Sequence, residues 1–88
     1  MKEKPFSHKK RLESNKLFTL VLLNDDYNTF EHVIESLVEV CGHDPVQAEQ
    51  CALITHHKGS CDIKSGSRQI LLSMRTGLLD RNLSCEVK

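Results

Sequence analysis

The sequence predicts an α+β domain: a small antiparallel three-stranded sheet with three helices packed on one face, in the order β-α-α-β-α-β. Three observations carry this. Eighty-eight residues with 39% hydrophobic side chains can build one core and not two. Apolar residues alternate or run continuously in three short stretches and recur at helical spacing in three longer ones. Cap and turn residues separate all six. One sheet with helices stacked on one side is the simplest way for so short a chain to close a core.

Leu17-Phe-Thr-Leu-Val-Leu-Leu23 is short, apolar and followed by Asn24-Asp25-Asp26, as expected of a strand buried on at least one face. The period then changes. Asn28-Thr29-Phe30-Glu31 has a capping-box layout, with Asn28 as N-cap and Glu31 at N3, and apolar residues follow at Phe30, Val33, Ile34, Leu37, Val38 and Cys41. Gly42 suits the end of that first helix. Asp44-Pro45-Val46-Gln47 repeats the start signal, leading into Ala48, Cys51, Ala52 and Thr55, and Gly59 stops the second helix. Cys61-Asp62-Ile63 alternates as a short strand, and Lys64 to Ser67 has the composition of a turn. Ser67 can cap a third helix whose apolar stripe is Ile70, Leu71, Met74 and Leu78, with Gly77 a flaw or an early end. Leu83, Cys85 and Val87, alternating with Ser84 and Glu86, form the last strand.

Charge is unevenly spread. Residues 1–16 hold six basic side chains against two acidic ones, a net of +4, and too few apolar residues to order themselves, so they are expected to be a flexible basic extension. Residues 17–88 hold six basic and ten acidic side chains, a net of −4, and form the core. The whole chain is formally neutral with four aromatic residues (Tyr27 and three phenylalanines), which argues against gripping nucleic acid or an anionic membrane. No apolar run is long enough to span a bilayer and no secretory signal is evident, so a cytoplasmic location is expected. Cys41, Cys51, Cys61 and Cys85 are widely spaced and read as buried thiols. The loose pairings Cys41-x-His43 and His56 to Cys61 fall short of a zinc pattern, and neither metal nor cofactor is implied.

The chemistry concentrates in two places. Asn24-Asp25-Asp26 leaves a strand and precedes a helix, where carboxylates and amides can face a ligand; the plainer alternative is a capped, solvated turn. His56 and His57 stand at the end of the second helix. No nucleophile elbow, phosphate-cradling loop or paired acid and base is present. Asp25 and Asp26, adjacent in an extended segment, point to opposite sides, so an enzyme is not expected.

The stretch Leu23-Asn24-Asp25-Asp26-Tyr27-Asn28-Thr29-Phe30-Glu31-His32-Val33-Ile34 resembles the Clp protease adaptor family, ClpS, in which a strand runs into N-D-D-x-T and a helix begins around E-x-V. Thr55-His56-His57-Lys58-Gly59 resembles the family's V-H-x-x-G, and Leu83-Ser84-Cys85-Glu86-Val87 its closing L-x-C-x-x strand. The resemblance extends from about Leu17 to Val87 and is thin across residues 64–80. It implies a non-enzymatic adaptor that binds N-degrons and delivers their bearers to a ClpA- or ClpC-type AAA+ unfoldase; one ligand site on so small a domain gives no reason to require more than a monomer. Asn24, Asp25 and His56 would hold the free α-ammonium. Asp26 through its backbone, with Asn28, Phe30, Val33, Ala52, Thr55 and Leu83, would line the pocket for the first side chain. Residues 1–16 would correspond to the family's extension toward the unfoldase channel. The chain departs from the family at Asn28 and Phe30, where threonine and methionine are usual, and at Ala52, where methionine is usual; a larger gate against a smaller wall reshapes the pocket. Two alternatives follow: a module of the same fold that has lost N-degron binding and binds only its ATPase, and a nucleic-acid-associated protein acting through the basic arm.

Overall fold

In the computed structural model, residues 16–88 are described; the basic extension expected over residues 1–16 lies outside them but for Lys16. Six elements follow in the expected order: β1 (Phe18–Leu23), α1 (Phe30–Cys41), α2 (Pro45–Lys58), β2 (Ser60–Gly66), α3 (Arg68–Asp80) and β3 (Ser84–Val87). The sheet order is β2-β1-β3, both pairings antiparallel. The most apolar strand therefore takes the centre, where Leu22 lies opposite Cys61 on one side and Cys85 on the other. Leu20 and Leu22 meet Leu37 of α1 and Leu71 and Leu78 of α3 in one core.

Helix ends are set largely by local chemistry. Asp44 Oδ1 accepts the Val46 and Gln47 N–H groups at 2.9 and 3.4 Å, with Pro45 at the first helical position. Gly42 ends α1 in the left-handed region at φ 70°, where its N–H donates to Val38 O and that of His43 to Leu37 O. The start of α1 differs from expectation: Thr29, not Asn28, is the N-cap, its Oγ1 accepting from His32 N at 3.1 Å. The Asn28 side chain is instead turned toward tertiary partners, to which its Nδ2 donates.

Three further expectations are corrected. β2 continues through Lys64, Ser65 and Gly66, because these polar residues pair with Leu20, Thr19 and Phe18 instead of turning. The register shifts between Leu20 and Val21, so that Ile63 has no partner in β1. Its carbonyl instead accepts from the buried His43 Nε2 at 2.7 Å. In α3, Ile70 is 56% exposed, leaving Leu71, Met74 and Leu78 as the inner stripe. Gly77 does not end that helix, which runs on to Asp80: a Cβ there would stand 3.0 Å from Val40 Cγ1, so the missing side chain lets α3 approach α1.

All four cysteines are buried free thiols. Burial pushes the Cys41 thiol up to about 11 and the Cys61 thiol up to about 12. Among the described residues no helix is long and apolar enough to cross a membrane.

Candidate functional site

The site begins where β1 ends. Asn24 N–H donates to Gly59 O at 2.9 Å, which fastens the loop after β1 to the residue that terminates α2. Asn24 is thereby held beside the last turn of the helix that carries His56. The ring of His56 meets that of His57 edge to face, with centroids 5.2 Å apart.

Asp25 then folds the loop around its own carboxylate. Oδ1 accepts the N–H groups of Tyr27 and Asn28, each at 3.0 Å, and Oδ2 accepts from Asn28 Nδ2 at 2.9 Å. Partial burial pushes the carboxyl upward, but the Asn28 and Tyr27 N–H groups, the Asn28 amide and nearby His32 outweigh it and leave Asp25 below its ordinary value. An ionised carboxylate with lone-pair capacity still unused is well suited to a cationic donor.

Behind this loop lies a cavity of about 200 Å³. Asn24, Asp25, Asn28, Thr55 and His56 supply its polar lining, and Leu22, Leu23, Phe30, Val33, Ala52 and Leu83 its apolar walls. β1, α1, α2 and the residue before β3 thus converge on one space. Phe30 forms part of the wall of this space. Thr55 does not offer its hydroxyl hydrogen to a ligand, because Oγ1 donates to Cys51 O at 2.8 Å.

Asp26 is the exception among the residues expected here. The turn closed by Asp25 directs the chain outward at that point, and Asp26 is exposed and outside the cavity lining. Sequence reasoning also missed Leu22 and Leu23, which look like ordinary strand residues but contribute to the walls. A polar seam between α1 and the turn after α3 was missed as well. Asn28 Nδ2 donates to Asn82 O at 2.8 Å, His32 Nε2 to Arg81 O at 2.8 Å, and Arg81 Nε to Ser36 Oγ at 3.0 Å. His32 and Ser36, four positions apart, lie along one line of α1, and Asn28 stands just ahead of its N-cap. That spacing was the available signal, although nothing local showed what it would grip. Among the described residues, no group of three or more His, Cys, Asp and Glu side chains is placed to hold a metal ion.

Comparison with known proteins places the chain in a family. Residues 13–86 match the family model described as ATP-dependent Clp protease adaptor protein ClpS. The chain is similar to an ATP-dependent Clp protease adapter protein ClpS of Campylobacter jejuni, 33% identical over 70 residues that cover 80% of this chain and 73% of the relative. A namesake in Neisseria meningitidis is 35% identical over 66 residues, covering 75% and 64%. Among solved structures, Agrobacterium tumefaciens ClpS2 bound to L-phenylalaninamide superposes with a TM-score of 0.80 at 24% identity, covering 83% of this chain and 95% of that one, and so shares its fold.

Proposed function

The chain belongs to the ClpS family of adaptors of the ATP-dependent Clp protease, and we propose that it reads N-degrons, a free α-ammonium followed by a large hydrophobic first side chain, and hands their bearers to a ClpA- or ClpC-type AAA+ unfoldase. It does so as a cytoplasmic monomer. The observation that carries this reading is the cavity, because one space joins three polar groups fit for an ammonium to walls fit for an apolar side chain.

The stoichiometry suits the ligand. An α-ammonium has three N–H donors, and Asn24 Oδ1, Asp25 Oδ2 and a neutral ring nitrogen of His56 offer three acceptors, directly or through water. A space of about 200 Å³ admits one large side chain, given that an apolar cavity of roughly 150 Å³ accepts benzene. Burying a Leu or Phe side chain there contributes about 1.5–3 kcal/mol. L-phenylalaninamide, the ligand of the structural relative, combines a free amino group with a benzyl side chain. Acetylated N-termini lose the charge and two donors and are rejected. With Phe30 as the gate and Ala52 as the facing wall, the order of preference among Leu, Phe, Trp and Tyr differs from that of adaptors with methionine at both positions.

Delivery tests the proposal. A reporter beginning with Leu or Phe is incubated with a ClpA- or ClpC-type protease and the full-length adaptor. The wild-type chain accelerates degradation, while Asp25→Ala combined with His56→Ala abolishes the acceleration and leaves binding to the unfoldase intact. Equal acceleration by the double variant would refute the ammonium site. Binding to the unfoldase without any effect on the reporter would favour a module that has lost N-degron recognition.

A further inference from the structure

We propose that Asn28 is a positioning residue whose single amide locks the ammonium-binding carboxylate and the apolar wall of the cavity into one unit. This rests on the reading of the cavity as an N-degron site, and adds to it the device that keeps the charged and apolar parts of the site in register.

The geometry is a two-pronged donor. Asn28 Nδ2 donates one hydrogen to Asp25 Oδ2 at 2.9 Å and the other to Asn82 O at 2.8 Å. Both partners are acceptors, so the amide orientation is dictated by chemistry: the nitrogen, and not the oxygen, faces them. A serine or threonine hydroxyl at this position would have one hydrogen and could serve one partner at a time. The backbone N–H of Asn28 adds a third bond, to Asp25 Oδ1 at 3.0 Å, so this one residue engages both oxygens of the carboxylate.

At the other prong, Asn82 holds φ at 70°, a left-handed conformation that a non-glycine residue keeps when its surroundings determine it. Its carbonyl is the group that Asn28 grips. The next residue, Leu83, is 3% exposed and forms part of the cavity wall. One side chain therefore fixes the direction of the charge and the placement of the wall across 54 positions of sequence. A second tie holds the same turn independently of Asn28, from His32 Nε2 to Arg81 O at 2.8 Å.

Asn28→Ala removes both amide bonds, and Asn28→Thr restores one donor. Binding of a fluorescent peptide beginning with Phe is measured with each full-length variant, alongside the pH titration of the Asp25 carboxyl carbon by NMR and a thermal melt. With Asn28→Ala, peptide affinity falls on the order of tenfold, the loss of one hydrogen bond to a charged group. The Asp25 titration moves upward, and Asn28→Thr recovers part of both. His32 and His56 are the other titratable groups near Asp25 and are unchanged in every variant, so the difference between variants reports on Asn28. A residue with a merely structural role would lower the melting temperature without moving the Asp25 titration. Affinity within twofold of wild type with an unmoved titration overturns the proposal while leaving N-degron binding standing. If the wild-type chain binds no free N-terminus, both fall. Should Asn28→Ala fail to fold, Asn28→Thr decides by the same two readouts.

Discussion

The two helices that frame the cavity bury opposite kinds of surface. α1 sends Leu37 and Cys41 into the core, with Val33, Ile34, Val38 and Val40 packed against it, and fills the space in front of it. α2 buries only Ala48, Cys51, Ala52 and Thr55, all short side chains, while its longer apolar residues Val46, Leu53 and Ile54 face outward. A helix with short inner residues, held at the distance its neighbours impose, leaves a hollow. The contrast teaches that apolar periodicity locates a core, whereas small residues at inner positions locate the space a ligand can use.

The sharpest probe of this difference concerns what lies behind the hollow. Cys51 and Cys61 are buried and neither lines the cavity. With burial pushing the Cys61 and Cys41 thiols up, labelling by a thiol reagent at pH 8 should be far slower for both in the native chain than in the unfolded one. Fast native labelling of Cys51 or Cys61 would mean that the hollow reaches deeper than the structure shows.

Filling the hollow should have the next largest effect. Ala52→Phe places a ring where the first side chain of a ligand is proposed to sit, and the affinity of Leu- and Phe-initiated peptides should drop about a hundredfold, the worth of one buried side chain. Binding that survives this substitution would separate the cavity from the function.

Removing the charge alone should cost less. Asp25→Asn keeps the shape and loses the charge-assisted bond, so affinity should fall about ten- to a hundredfold and the penalty for acetylation should shrink. The pH dependence has a definite sign. The folded Asp25 carboxyl lies below its ordinary value of 3.8. The stabilisation that the carboxylate gives its turn is therefore complete above that pH and is lost as pH falls through the lower folded value. Thermal melts of the wild type and Asp25→Asn, compared across pH 2–6, should converge only at the acid end.

On the filled side of the molecule there is no room to add. Gly77→Val forces a branched side chain into a contact where even a lone Cβ would stand 3.0 Å from Val40 Cγ1, and should cost about 1–3 kcal/mol of stability, read as a lower melting temperature. Leu53→Ser, on the outward face of α2, should change stability by less than about 0.5 kcal/mol.

Much of the fold was legible because its signals are local. Asp44-Pro45, Ser67, Gly42 and Gly59 each act within a few residues of themselves. The failures share a cause, which is that a distant partner decided. Asn28 and Thr29 are both good caps, and Thr29 takes the role while the Asn28 side chain is turned toward Asp25 and Asn82. Lys64-Ser65-Gly66 has turn composition, yet β1 offers it a strand to pair with. Gly77 resembles a helix flaw until Val40 is set beside it. The cavity residues Asn24, Asp25 and His56 were legible through the resemblance to the ClpS family, because a strand-end and helix-end position alone reads equally as a capped, solvated turn. The contributions of Leu22 and Leu23, and the outward turn at Asp26, depend on how the loop folds about Asp25.

The most direct test is fluorescence anisotropy with labelled peptides beginning with Leu, Phe, Tyr, Trp, Ile or Met, each paired with its N-acetylated twin. The account predicts saturable binding at micromolar or tighter affinity for large hydrophobic first residues, lost on acetylation. Absence of binding to every free N-terminus, or equal binding of the acetylated twins, would contradict it.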